Sequence, residues 1–191
     1  MFIQTEQTPN PLTLKFLPGR TVMKEGTAFF KNESECDISP LAKSLFAIEG
    51  VASVFFGSDF ITITKKNNFD WQDFKPMILG SITDHYNSGK EVLIKSQSSL
   101  KNDDSKLPEF KEEDSEIVKQ IKELLDTRVR PAVSMDGGDI IFQSYKEGVV
   151  YLHMQGACSG CPSSTATLKM GIENMLKHYV PDVKEVRPVD V

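Results

Sequence analysis

The sequence is poor in cysteine, has no long apolar run and carries no excess of basic residues. Three cysteines among 191 residues are too few, and odd in number, for a disulfide scaffold. No apolar stretch approaches the ~20 residues of a membrane-spanning helix, so no membrane partner is expected. The net charge is −5 and the pI is near 5.3. Such a chain builds no large basic face, which excludes nucleic acid as an expected partner. Met1-Phe2-Ile3-Gln4-Thr5-Glu6 has neither the basic flank nor the apolar core of an export signal. The expectation is a soluble, unexported protein, in a bacterial cytoplasm or, for a mature eukaryotic form, in the mitochondrial matrix.

Hydrophobic content of 39% and charged content of 26% are ordinary for globular proteins, so at least one packed core is expected. Residues 2–17 alternate around Pro9-Asn10-Pro11 and read as strand, turn, strand. Ser39-Pro40 offers an N-cap followed by proline at the first helical position, with Leu41, Leu45 and Ile48 on one face and Gly50 as a stop. Val51–Phe56 and Phe60–Thr64 form a hairpin about Gly57-Ser58-Asp59. A helical pattern follows from Asp70 (Trp71, Phe74, Ile78, Ile82), where Pro76 predicts a kink or a later start. Val92-Leu93-Ile94 is expected to close the sheet.

Between residues 96 and 114 six acidic residues, lysines, serines and Pro108 replace large apolar side chains. Such a segment buries too little surface to order itself and reads as a flexible acidic linker. Beyond it, Ile117, Ile121, Leu124 and Leu125 mark a helix capped by Asp114 or Ser115 and ended by Arg130-Pro131. Asp136-Gly137-Gly138-Asp139 turns into the strand Ile140–Tyr145, and Lys146-Glu147-Gly148 turns into Val149–Gln155. A last helix has Leu168, Ile172, Met175, Leu176 and Tyr179 as its buried face, with Lys169, Glu173 and Lys177 paired on the solvated side. Val183–Val189 is an edge strand. The fold class is therefore α+β: two small α/β-sandwich-like domains, 1–95 and 115–191, joined by a linker over 96–114.

Two of the three cysteines fall in Gly156-Ala-Cys158-Ser-Gly-Cys161-Pro-Ser-Ser164, between a strand and a helix. Thiols this close can ligate one metal centre or form one disulfide. At a helix start they face unpaired N–H groups and the positive end of the dipole, which favour a thiolate by roughly 0.3–1 kcal/mol. Both sulfurs are therefore expected to be accessible and reactive. An iron–sulfur site wants four thiolates, so two per chain suggests two chains sharing one cluster. A zinc site completed within the chain fails on distance. His178 lies about 25 Å beyond Cys161 along a straight helix at ~1.5 Å per residue, and His153 about 16 Å before it on a strand at ~3.3 Å per residue. A zinc site shared between chains, a thiol–disulfide oxidoreductase using Cys158 and Cys161, and two small buried apolar residues complete the alternatives.

At these residues the chain resembles the NifU-like (Nfu) family of iron–sulfur cluster scaffold and carrier proteins. Met135-Asp-Gly-Gly-Asp-Ile140 together with the cysteine loop resembles the family's C-terminal domain. Thr8-Pro-Asn-Pro11 with Leu14-Lys-Phe-Leu-Pro-Gly19 resembles its N-terminal domain. The resemblance implies that Cys158 and Cys161 are the cluster and metal ligands. It implies a [4Fe–4S] cluster, with [2Fe–2S] as the alternative, bridging a homodimer. The cluster would come from upstream assembly or carrier proteins and pass to apo iron–sulfur proteins, with no enzymatic step.

The remaining features have plainer readings. Cys36 is an incidental thiol in a polar loop, Asp136-Gly137-Gly138-Asp139 is mainly turn geometry, and His153 occupies a strand face position. The N-terminal domain shows no metal constellation, which leaves partner docking or regulation as its role by elimination.

Overall fold

The computed structural model describes residues 2–94, 112–159 and 162–189. The chain divides into two compact units, Met1–Gln97 and Ser98–Val191. Each combines helices with one sheet, the α+β class expected. Residues 95–111, which hold most of the expected linker, lie outside the described residues.

In the first unit, strands β1 (Gln4–Gln7), β2 (Thr13–Leu17), β3 (Ala28–Phe30), β4 (Val51–Phe56) and β5 (Ile61–Lys65) form an antiparallel sheet in the order β1-β2-β5-β4-β3. Helices α1 (Pro40–Phe46) and α2 (Trp71–Asn87) supply Leu41, Leu45, Phe74, Ile78 and Ile82 to the same core as Phe16, Phe30, Phe56 and Ile63. The Thr8–Pro11 turn is tied by Asn10, whose Oδ1 accepts the Leu12 N–H at 3.0 Å. Trp71 Nε1 donates to the Pro11 carbonyl, which pins the turn to the start of α2.

Both helix starts follow the sequence. Ser39 Oγ accepts the Ala42 N–H at 3.0 Å ahead of Pro40, and Asp70 Oδ1 accepts the Gln72 N–H at 2.9 Å. Pro76 neither delays nor splits α2. It lies on the exposed face one and a half turns in, where the Gln72 carbonyl that loses a helical donor meets water.

Two strand expectations are corrected. Val92-Leu93-Ile94 is not a strand: its backbone is tied by Ser39 Oγ donating to the Val92 carbonyl and by the Ile94 N–H donating to Ile38. The sheet edge is instead β3, where the T-shaped ring pairs Phe29–Phe55 and Phe30–Phe56 compensate for a strand of only three residues. Cys36 does not sit in a polar loop. It is on a 3₁₀ turn (Glu33–Ile38) that faces the core, and it is 1% exposed.

In the second unit, α3 (Glu112–Leu124) begins earlier than its expected caps, so Asp114 and Ser115 fall within its first turn. Arg130-Pro131 does not end the helical run. A π-turn over Leu125–Val129 lets the Arg130 N–H reach the Leu125 carbonyl, and Pro131 then lies in the first turn of α4 (Arg130–Met135), where no N–H is needed. Strands β6 (Gly138–Lys146), β7 (Val149–Gly156) and β8 (Glu185–Val189) form a sheet with β7 central. β6 and β7 are an antiparallel hairpin, while β7 and β8 are parallel and joined through α5 (Pro162–Tyr179). The core gathers Ile121, Leu125, Val133, Ile140, Leu152, Ile172, Leu176 and Val186. Tyr179, expected inside, is 46% exposed beneath the Arg128 guanidinium, and Val180 takes the buried place. Lys177 pairs with Glu173 as expected, but Lys169 reaches Glu185 on β8. No helix among the described residues is long and apolar enough to cross a membrane.

Ser39 serves two bonds at once, so Ser39→Ala should lower the stability of the first unit by about 1–2 kcal/mol. Urea unfolding followed by Trp71 fluorescence measures it; an unchanged midpoint would contradict the double role.

Candidate metal-binding thiol site

Antiparallel register decides what lies beside the cysteine loop. Gly138, at the start of β6, is paired with Gly156, at the end of β7, and Asp139 with Gln155. The Asp136–Asp139 turn and the Gly156–Cys161 loop therefore occupy the same end of the hairpin. Gly156 adopts a positive φ of 63°, and the chain then turns over Gly137, whose carbonyl accepts the Ala157 N–H at 3.1 Å. Ser159 closes the turn, its N–H and its hydroxyl both donating to the Gly156 carbonyl. Thr165 Oγ1, in the first turn of α5, donates to the Cys158 carbonyl at 3.2 Å.

The Cys158 sulfur occupies space that only glycine leaves open. A Cβ on Gly138 would stand 2.6 Å from Cys158 Sγ and 2.6 Å from the Gln155 carbonyl oxygen. The second glycine of the turn is thus a packing partner of the thiol as well as part of the turn. Gly137, with φ +84°, supplies the turn itself. Sequence reading took both glycines as turn geometry. What it lacked was the strand register.

The expected accessibility is overturned for Cys158. Its side chain belongs to the apolar core of the unit and the residue is 6% exposed. Burial pushes its pKa from 9.0 up to about 12, and the carboxylates of Asp136 and Asp139 push in the same direction. Desolvation outweighs the helix-end field on which the expectation of a lowered pKa rested. Cys161 lies outside the described residues.

Asp139 is itself buried and is held by a fork. Arg130 Nε donates to Oδ1 at 2.9 Å and Nη2 to Oδ2 at 2.8 Å, while Oδ1 also accepts the Ile140 N–H. The Arg130 pKa is raised, first by the hydrogen bond to Asp139. This pair joins the end of the π-turn to the start of β6 beside the thiol. Its members were not singled out as partners in the sequence, because residues nine apart across a helix end and a turn show no spacing signal. Neither histidine considered as a zinc ligand turns toward the loop in a way that gathers ligands. His153 Nδ1 bonds the Val189 carbonyl at 3.1 Å, and the His178 ring packs on Tyr179. Among the described residues no group of three or more His, Cys, Asp or Glu side chains is placed to hold a metal ion.

A C-x-x-C loop between a central strand and a helix, closed by a glycine-bearing turn on the neighbouring strand, defines a dithiol-bearing α+β domain. Residues 121–187 match the family model of the NifU-like domain, and residues 3–89 that of the scaffold protein Nfu/NifU N-terminal domain. The chain belongs to the NifU-like (Nfu) family, in its two-domain form. NifU-like protein 4, mitochondrial, of Arabidopsis thaliana is 53% identical over 188 residues, covering 97% of this chain and 65% of that protein. The NFU1 iron-sulfur cluster scaffold homolog, mitochondrial, of Drosophila willistoni is 52% identical over 190 residues, covering 99% and 64%. The chain thus spans about two thirds of the length of the curated relatives it matches. The solution structure of a NifU-like protein from Saccharomyces cerevisiae is 32% identical with a TM-score of 0.46, covering 50% of this chain and 86% of that one.

Two outcomes follow from the sealed thiol. Gly138→Ala should expel the sulfur, cost about 1–3 kcal/mol of stability and speed alkylation of Cys158 by iodoacetamide in the native protein. Mass spectrometry of the alkylated peptide would show no acceleration if the sulfur were already exposed. Because the folded pKa lies above the unfolded value, the stability contributed by the neutral buried thiol is intact below about pH 9 and is lost as pH rises towards 12. Urea midpoints should fall across that window, and Cys158→Ala should flatten the fall.

Proposed function

We propose that this chain is an iron–sulfur cluster scaffold and carrier in which Cys158 and Cys161 are the cluster ligands. The observation that carries the reading is the register-built pocket. It places one sulfur of the C-x-x-C pair at the head of α5, beside the glycine turn that the family model also covers. Relatives that align over nearly the whole of this chain are named as iron-sulfur cluster scaffold homologs.

Clusters are held by four thiolates, and the C-terminal unit has two cysteines. Two copies of the chain supply the full set, so the cluster bridges a homodimer. A [4Fe–4S] core with four thiolates has a net charge of −2, which the N–H groups at the start of α5 in each copy stabilise. Cys158 must leave its pocket and lose a proton to bind iron, since ligating sulfur is thiolate. The loop that holds it is fastened by few bonds, from Ala157, Ser159 and Thr165, so the movement is local.

With two ligands from each copy, an acceptor's thiols can replace those of the carrier one at a time. The cargo passes from upstream assembly proteins to apo iron–sulfur proteins without a general acid, base or nucleophile acting on a substrate. A thiol–disulfide oxidoreductase asks for an exposed sulfur of low pKa. Burial of Cys158 weighs against that alternative. The relatives quoted are named mitochondrial, which favours the matrix over a bacterial cytoplasm as the site of action.

Anaerobic reconstitution with iron and sulfide should give a brown protein with broad absorption near ~400 nm. Its native mass should equal two chains plus one cluster. Cys158→Ser and Cys161→Ser should each abolish the colour and Cys36→Ser should not. A monomeric loaded species with no external thiol would refute the shared site.

A further inference from the structure

The first unit carries a cleft that the cluster site does not use. It runs between α1 and α2 with a volume of ≈590 Å³, inside the roughly 300–1,000 Å³ range of ligand sites. Its floor is formed where Ser81 Oγ donates to Ser44 Oγ at 3.0 Å, a contact between small side chains that lets the helices approach. One end is apolar, with half-buried Ile48 and with Met77, which is 49% exposed. The other end is polar and holds His85, Asp84 and Lys90.

His85 is the anomaly. It is 6% exposed, yet its Nε2 is buried with no hydrogen-bond partner among the described residues. An orphaned polar atom of this kind costs about 1–3 kcal/mol, so it calls for an explanation. Burial holds the ring below its ordinary pKa and the charge of Lys90 adds to the effect. The imidazole is therefore neutral, with an unmet donor or acceptor rather than an unpaired charge. Neither Asp84 nor Lys90 takes part in an ion pair among the described residues.

We infer that this cleft docks an extended peptide segment of a partner protein, with an apolar side chain against Met77, a backbone amide on His85 Nε2 and an acidic side chain on Lys90. An amide group offers both a donor and an acceptor, so it satisfies Nε2 in either tautomer. From Pro76 to Ser88 the α2 wall is roughly 18 Å long at ~1.5 Å per residue, enough for about five extended residues. Exposed methionine adapts to varied apolar side chains. The uncommitted charges of Asp84 and Lys90 match a segment of mixed charge, with a basic residue for the first and an acidic one for the second. The inference stands apart from the cluster reading, because every residue it uses is in the other unit.

Gly80 provides the test. A Cβ there meets nothing within 4 Å, so Gly80→Leu fills the cleft without touching the core and raises helix propensity. The probe is a positional-scanning library of capped, fluorescein-labelled pentapeptides, read by fluorescence anisotropy on the full metal-free chain. Wild-type protein should select pools with an apolar anchor and an acidic residue. Gly80→Leu should weaken the selected peptide by about tenfold or more, and Lys90→Glu should turn the acidic preference basic. Ring ¹⁵N shifts of His85 should move on binding. The inference is overturned if no pool binds the wild type better than Gly80→Leu. Selected peptides that leave the His85 resonance in place would overturn it too, as would a preference unchanged in Lys90→Glu.

Discussion

The contact between Cys158 Sγ and the missing side chain of Gly138 constrains the whole C-terminal unit. It exists because β6 and β7 pair with Gly138 opposite Gly156, which brings a turn and a loop eighteen residues apart to one end of a hairpin. A slip of one residue would turn every side chain of the pair to the other face. Neighbouring features keep that register. The Arg130–Asp139 fork fixes where β6 begins, and the π-turn that sets the position of Arg130 also admits Pro131 without ending the helical run.

This arrangement gives the unit a resting state in which one sulfur of the dithiol is covered. The neighbouring carboxylates and the apolar surroundings disfavour a bare thiolate, so the unloaded protein presents a protected thiol. Protection and delivery are compatible in a carrier. Metal–thiolate bonds formed on loading replace the packing lost when the sulfur leaves, and the sulfur can return to its pocket once the cargo has gone. A catalytic thiol, which must attack unaided, gains nothing from such a cover.

The first unit rests on different physics. Its five antiparallel strands alternate cleanly, and aromatic side chains from β2, β3, β4 and α2 fill one core. It contributes a second buried thiol, Cys36, whose pKa is raised to about 11, first by burial and then by the surrounding acidic residues. Capping and turn chemistry were legible here because they are local: Ser39-Pro40, Asp70 and the Thr8–Pro11 turn all behave as their residue types dictate. The strand β3 was not legible, since Ala28-Phe29-Phe30 is too short to show a period and is held by ring contacts with β4. The same limit applies to Tyr179. Helical spacing placed it inside, but the helix buries Val180 one residue on and leaves the ring beneath Arg128.

The amino-acid sequence by itself determined the element order in outline, the α+β class, the C-x-x-C pair and the family, because caps, turns, periodicity and motif spacing act over a few residues. Only the tertiary structure decided that Cys158 is covered, that Gly138 makes its room and that Asp139 is forked by Arg130. It alone decided that His85 lines a cleft with its Nε2 unmet. Each of these depends on which surfaces meet across strands and helices distant along the chain. Desolvation of a thiol or an imidazole follows from that enclosure, and no local pattern of residues encodes it.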